Sequence, residues 1–223
     1  MLSSPTLYRP RAAEARAVPG HDRWHPDIPG AAEVITGGSV RLDCQGREPC
    51  ADAVLCGPLV VVGAEPGDVI VVDVVGIGRA DGRPVRSGHP GVIGCAPDAA
   101  ALHATARTDE PDAAAPLLGG LAPGLPGYAG AAAGAVRSAA RGRTIGGCVI
   151  APLTPGSRIL LPVQVPGAKL SVGDLHFPER AEPDCAVPGL PGWIDLRVNL
   201  TRRGVERFRV TGPMLMPNPA PTL

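Results

Sequence analysis

The stretch "GPLVVVGAEPGDVIVVDVVGIG", residues 57–78, is the strongest β segment of the chain. Its first run, residues 59–62, has no polar residue, which is typical of a strand buried on both faces. The sequence "GAEPGD" then places Pro66 and Gly67 at the centre of a turn. The run "VIVVDVVGI" follows, with Asp73 on one face. We therefore expect a strand, a tight turn and a second strand.

The same pattern recurs along the chain. Residues 31–43 indicate strand, Gly-Gly turn, strand, and residues 157–177 indicate two strands about Pro166–Gly167. Residues 192–204, "GWIDLRVNLTRRG", alternate apolar and polar side chains with period two. The 30 glycines and 27 prolines fall mainly between these apolar runs. The sequence predicts a mainly β protein, a sandwich or barrel-like fold with one or two short helices.

Charge and length limit the classes of protein. Lysine and arginine together number 21, as do aspartate and glutamate, and no basic block stands out, so we expect no nucleic-acid partner. No apolar run approaches the roughly 20 residues of a membrane helix, so we expect no membrane partner. The N-terminus lacks an apolar signal region, which favours a cytoplasmic protein. We expect a loose arm over residues 1–20, then a single domain or two interleaved β subdomains over 21–223.

Asp174 and His176, in "GAKLSVGDLHF", are the first candidates for chemistry. In an extended strand alternate residues point to the same side, so both could reach one metal ion or one substrate. The same pair also fits a turn at the end of a strand, with the aspartate accepting backbone N–H groups. Both interpretations stay open on the residues alone.

Five further residues are candidates. Glu65 projects from the Pro-Gly corner, either as a general base for water or as a solvated side chain. His21 and His25 flank Trp24, so the two histidines could be metal ligands and Trp24 an apolar wall for the substrate. The alternative is an N-terminal loop packed around Trp24. His89, before Pro90, is either a substrate-binding loop residue or a solvated turn residue.

Several blocks in this order resemble the acetamidase/formamidase family. Together they cover roughly half the chain, by the count of residues in the sequence. The blocks are "HDRWHPDIPGAAEVITGGSVRLDC" (21–44), "GPLVVVGAEPGDVIVVDVVGIG" (57–78), "HPGVIGCAP" (89–97), "LLGGL" (117–121), "GSRILLPVQVPGAKLSVGDLHF" (156–177), "GWIDLRVNL" (192–200) and "VTGPMLMP" (210–217).

The resemblance implies a mainly β fold, a homo-oligomer, and hydrolysis of formamide or a short aliphatic amide to ammonia and a carboxylate. The chain has no Gly-x-Ser-x-Gly elbow, and Ser171 does not stand in a Ser-x-x-Lys motif with Lys169. Water activated by a divalent metal, zinc or calcium, is therefore the more economical route. We expect Asp174, His176 and Glu65 to lie nearest the chemistry.

The chain also departs from the family pattern. Between "GIGRA" (76–80) and "SGHPG" (87–91) it lacks most of the segment that family members have. After Phe177 it continues as "PERAEPDC", where the family has Gly-Asp-Gly-Glu. Cys148 and Ile150 stand where the family has the Asn and Asp of Gly-Gly-Asn-x-Asp. These departures motivate a second hypothesis, a catalytically impaired, shortened relative serving as a β scaffold or small-ligand binder. A third, weaker hypothesis is a thiol-dependent enzyme using Cys95.

Overall fold

The computed structural model describes residues 20–46, 53–101, 136–137, 153–178, 189–210 and 212–216. The predicted arm over residues 1–20 therefore lies, apart from Gly20, outside the described residues. The described part is mainly β and consists of two packed sheets that do not close into a barrel. The predicted fold class is confirmed.

The described strands are short to medium in length, and the two long ones lie side by side. They are β1 (Gly20–His21), β2 (Arg23–Trp24), β3 (Ala32–Val34), β4 (Gly38–Cys44), β5 (Leu55–Val61), β6 (Val69–Arg79), β7 (His89–Gly94), β8 (Val136–Arg137), β9 (Arg158–Pro162), β10 (Leu170–His176), β11 (Gly192–Thr201) and β12 (Met214–Met216). The helix α1 spans Gly204–Phe208, and residues 99–101 are also helical. No helix within these ranges is long and apolar enough to cross a membrane.

The first sheet has the order β1-β5-β10-β7, and β3 pairs in parallel with β5 beside β1. The second sheet has the order β12-β9-β6-β11-β4 and is antiparallel throughout. A separate two-stranded pair joins β2 to β8. Consecutive strands therefore seldom pair with each other.

The core lies between the two sheets and is aliphatic, as the low aromatic content requires. In β11 the alternation predicted from the sequence is observed, because Ile194, Leu196 and Val198 are fully buried. They belong to one cluster with residues of the first sheet such as Val172 and Ile93. The period-two pattern places one apolar face of each sheet against the other.

The predicted turn after β5 is present, but it joins two different sheets. The Asp68 N–H donates to the Glu65 carbonyl at 3.0 Å, and Gly67 takes a φ of 92° that favours glycine. Expecting burial through residue 62 was wrong for Val62, which is 45% exposed because β5 ends at Val61. The strongest β segment is thus a corner of the sandwich and not a hairpin.

A second corner, between β9 and β10, packs against the first. The Val61 N–H donates to the Gly167 carbonyl and the Gly167 N–H donates to the Ala64 carbonyl, both at 2.8 Å. The Val163 N–H donates to the Asp68 carbonyl at 2.9 Å. The two passages between the sheets therefore satisfy each other's backbone groups.

A buried histidine ties the N-terminal strand to β10. The His21 Nδ1–H donates to the Arg23 carbonyl at 2.6 Å. Since a carbonyl only accepts, Nε2 carries no proton and accepts the Ser171 hydroxyl at 2.8 Å. The Trp24 ring meets the imidazole edge to face at 5.8 Å between centroids. Burial lowers the pKa of His21 from 6.5 to about 4, against the opposing effect of the Arg23 hydrogen bond.

We predict that His21 makes the fold sensitive to acid. In the unfolded chain His21 takes up a proton near pH 6.5, whereas in the folded chain its pKa is about 4. The contribution of His21 to the free energy of unfolding should therefore be constant above pH 6.5, fall between pH 6.5 and 4 by about 3 kcal/mol, and level off below. Urea unfolding at intervals across this range measures the effect.

The variant His21→Asn should lose this component of the pH dependence, because it cannot titrate there while its amide can still donate to the Arg23 carbonyl. His25→Gln is the matched control, since His25 is partly exposed. An unchanged decline in His21→Asn would remove His21 as the cause.

Candidate active site

The site residues lie near the end of β10, where the regular strand alternation is broken. Val172 and Leu175 both belong to the core cluster, although residues three apart in a strand normally face opposite sides. Asp174, between them, has a left-handed backbone with φ 55°. Because Leu175 and Phe177 both pack against the core, His176 lies on the outer face of the first sheet.

Asp174 and His176 form a hydrogen-bonded pair. The His176 Nε2–H donates to Asp174 Oδ2 at 3.1 Å, and the Gly189 N–H donates to Asp174 Oδ1 at 3.1 Å. Both residues are buried, with 9% of Asp174 and 8% of His176 exposed. The aspartate accepts a backbone N–H, as the turn interpretation expects, and it also contacts the imidazole. Binding of a metal ion or a substrate by the pair stays a prediction.

His89 completes a cluster of three side chains. It lies directly opposite His176 in the register of β7 and β10, and the two rings stack with centroids 5.4 Å apart. Its Nε2 is buried and has no hydrogen-bond partner among the described residues. Burial and, to a smaller extent, the interaction with His176 lower the pKa of His89, Asp174 opposes both effects, and the net pKa is about 4.

Two glycines allow the side chains of Asp174 and His176 to lie close to the neighbouring backbone. A Cβ at Gly91 would lie 2.7 Å from Asp174 Oδ2 and 2.8 Å from His176 Nε2. A Cβ at Gly189 would lie 2.5 Å from Asp174 Oδ1. Any side chain at either position would have to displace the acid or the imidazole. The cluster therefore depends on bare backbone on both sides of the carboxylate.

The structure does not bring the predicted base to this cluster. Glu65 is exposed in the first corner, which bonds to Gly167 before β10 begins. Asp174 lies four residues after Leu170, the start of β10, so a length of strand of about 13 Å separates Asp174 from the end of β10 that follows the corner. Glu65 lies in the turn, as expected, but it does not lie next to Asp174 and His176, where the sequence analysis expected it.

The predicted metal set of Asp174, His176, His21 and His25 is also divided. His21 bonds to Ser171, which lies five residues before His176 and so about 16 Å away along β10. The His25 Nδ1 accepts the Asp27 N–H at 3.1 Å within its own loop. Within the part of the chain that the structure describes, no group of three His, Cys, Asp or Glu side chains is placed to hold a metal ion.

Trp24 lies between these two polar regions. It is 1% exposed and packs with Ala53, Leu55 and Val92 in a small apolar cluster. Val92 belongs to β7, three residues after His89. An apolar patch therefore covers the outer face of the first sheet next to the histidine cluster.

Sequence reasoning missed Gly189, set Ser171 aside as a nucleophile, and assigned His89 to a separate role. Ser171 is fully buried beside His21, although its neighbours suggested no catalytic motif. The pairing of His89 with His176 depends on the register of β7 with β10, which no local pattern encodes. Cys95, the candidate thiol of the third hypothesis, is buried in the sandwich core.

Comparisons with known proteins agree with this fold. An acetamidase from Mycolicibacterium smegmatis is 32% identical over 292 residues, with 91% of this chain and 71% of that protein covered. A formamidase from Methylophilus methylotrophus is 28% identical, with 89% of this chain and 68% of that protein covered.

Solved structures of similar proteins have a similar fold. A gamma lactamase from Delftia acidovorans superposes with a TM-score of 0.74 and 26% identity, covering 91% of this chain and 69% of that one. An acetamidase from Bacillus halodurans gives a TM-score of 0.55 at 18% identity and covers 83% of this chain and 70% of that one, a likeness of fold alone.

The family profile settles the classification. It matches residues 8–85 and 83–222, which is most of the sequence. The matched segments contain both sheets and the cluster of Asp174, His176 and His89. The chain belongs to the Acetamidase/Formamidase family.

Proposed function

We propose that this chain hydrolyses a small linear amide, such as formamide or acetamide, to a carboxylate and ammonia at the cluster of Asp174, His176 and His89. The observation that carries the proposal is the buried contact between Asp174 Oδ2 and His176 Nε2, with His89 stacked against the imidazole. The names of the similar acetamidase and formamidase support an amide as the substrate class.

Amide hydrolysis needs a competent nucleophile, a polarised carbonyl and a proton for the leaving amine. Asp174 is held by the Gly189 N–H, so its Oδ2 is directed at the imidazole of His176. The unpartnered Nε2 of His89 can form a hydrogen bond with a water or with the amide. We assign to His89 the orientation of the substrate, the role expected from the sequence.

A divalent cation is the second part of the proposal. Carboxylate and imidazole are donors that Zn²⁺ accepts, and the unpartnered Nε2 of His89 next to them is compatible with a polar occupant. Asp174 Oδ2 and His176 Nε2 would hold the ion once the proton of His176 had moved from Nε2 to Nδ1, and the ion would supply an acidic water and a polarising charge when bound. Among the described residues these donors do not form a complete set of three.

A second candidate function is a shortened relative that keeps the β scaffold or binds a small ligand without turnover. The departures at Cys148, Ile150 and the segment after Phe177 favour it. An ammonia-release assay over formamide, acetamide and propionamide separates the two. A γ-lactam joins the panel because a gamma lactamase is among the similar structures. A folded sample without turnover under any added metal would support the scaffold.

We predict that Asp174→Asn and His176→Gln each reduce ammonia release by at least about a hundredfold, because each removes a group in contact with the reacting atoms. Asparagine suits Asp174 because it tolerates the left-handed backbone at φ 55°, so the change removes the charge with little strain. Circular dichroism and thermal unfolding check that both variants fold.

Glu65→Gln is the matched control for these variants. It changes an exposed carboxylate at the other end of β10 and should leave turnover within about twofold, since surface substitutions have small effects. Loss of turnover in Glu65→Gln would return Glu65 to the chemistry, and full activity of both Asp174→Asn and His176→Gln would refute the proposed site.

We predict that removing metal abolishes turnover and that Zn²⁺ or Ca²⁺ restores it. Dialysis against a chelator, followed by the ammonia assay and elemental analysis, measures both effects. Asp174→Asn should also lower the metal content per chain, a readout independent of activity. Full turnover of a chain shown to contain no metal would exclude the metal-dependent route and leave the amide assignment standing.

A further inference from the structure

A cavity of about 440 Å³ lies beside the loop between β6 and β7. Arg79, the last residue of β6, and the loop residues Arg83 and Arg86 contribute three guanidinium groups to its lining. Phe177 and Pro178, which directly follow His176, form part of the opposite wall. The cavity is therefore adjacent to the end of β10, and Phe177, one of its lining residues, also packs against the core.

Among the described residues, the charged side chains that line this cavity are all arginines. Arg79 donates through Nε and Nη2 to the two carboxylate oxygens of Asp81, at 2.9 and 2.6 Å. Arg83 Nε is 3.7 Å from the same carboxylate and its side chain is 77% exposed. Arg86 has no ion-pair or hydrogen-bond partner among the described residues. Asp81 thus contacts two of the three guanidinium groups, those of Arg79 and Arg83.

Asp81 also shapes the loop. Its Oδ1 accepts the Arg83 N–H at 3.2 Å, and Gly82 takes a φ of 70° between the two arginines. The Arg79–Asp81 pair and this turn hold the start of the loop in one conformation. The guanidinium of Arg86 is therefore carried by a loop whose first half is anchored to β6.

The remaining lining is largely apolar. Phe177 is partly buried, and Pro84, Val85 and Pro178 line the cavity with it. The volume falls within the range of roughly 300–1,000 Å³ seen for small-molecule sites. A ligand with a charged head and a short hydrocarbon body can use both the guanidinium groups and this apolar wall.

We infer that the Arg79–Arg83–Arg86 cavity binds a small organic carboxylate. The guanidinium fork matches the geometry of carboxylate and phosphate alike. The apolar wall of Phe177 and Pro178 favours an aliphatic carboxylate over inorganic phosphate, which has no apolar body to bury. The occupant is thus an anion of the class that amide hydrolysis releases, bound away from the acid–imidazole pair.

The comparisons assign no role to this loop. The family match divides into two segments at residues 83–85, within the loop itself. The alignment to the acetamidase runs over 292 residues, more than this chain contains, so the relative has segments that this chain lacks. The inference concerns binding alone and does not depend on whether the chain hydrolyses an amide.

Isothermal titration with butyrate at low ionic strength tests the inference. The uncharged 2-pentanone, which has a similar shape and no amide bond to hydrolyse, is the neutral probe, and inorganic phosphate is the inorganic one. We expect butyrate to bind more tightly than both, and added sodium chloride to weaken it.

Arg86→Gln and Arg83→Gln should each raise the dissociation constant for butyrate about tenfold, the usual effect of losing one charge-assisted hydrogen bond. Arg197→Gln, an exposed arginine on β11, is the matched control and should leave it unchanged. Equal binding of butyrate and 2-pentanone, or no binding of butyrate to the folded protein, overturns the inference. If phosphate binds more tightly than butyrate, the ligand is not an organic carboxylate. If Arg197→Gln weakens butyrate binding as much as Arg83→Gln and Arg86→Gln do, the binding site is not this cavity.

Discussion

The two corners that carry the chain between the sheets are the constraint on which the architecture depends. Backbone bonds between Val61, Ala64 and Gly167 join one corner to the other, so each crossing satisfies the polar groups of its neighbour. Each corner contains a glycine in a left-handed conformation, Gly67 in one and Gly167 in the other. Because β10 starts from the second corner, the position of every residue on β10 follows from this contact.

The candidate site arises where β10 departs from regular strand geometry. The left-handed backbone at Asp174 changes the alternation, so that Leu175 faces the core and His176 faces outward. Aspartate tolerates this conformation better than most residues because its short side chain can bond locally, here to the Gly189 N–H. The departure costs local strain and places a carboxylate and an imidazole in contact, a combination that is often found at functional sites.

Buried histidines divide the outer face of the first sheet into two polar regions. His21 pairs with Ser171 at one end and His89 stacks on His176 at the other, with the Trp24 cluster between them. Burial lowers the pKa of both His21 and His89 to about 4, so both rings are neutral at pH 7. A neutral imidazole has one nitrogen that can accept a hydrogen bond, and that of His21 is already used by Ser171.

The sequence by itself determined the local features: the strands, the turn about Pro66–Gly67, the one-sided burial of β11, and the closeness of Asp174 to His176. These follow from period-two patterns and turn residues, which act over a few positions. Only the tertiary structure decided that β5 and β6 enter different sheets, that His89 and not His21 or His25 meets His176, and that Glu65 stays apart. Those outcomes depend on which strands pair and in what register, and contacts between residues many positions apart leave no local signal in the chain.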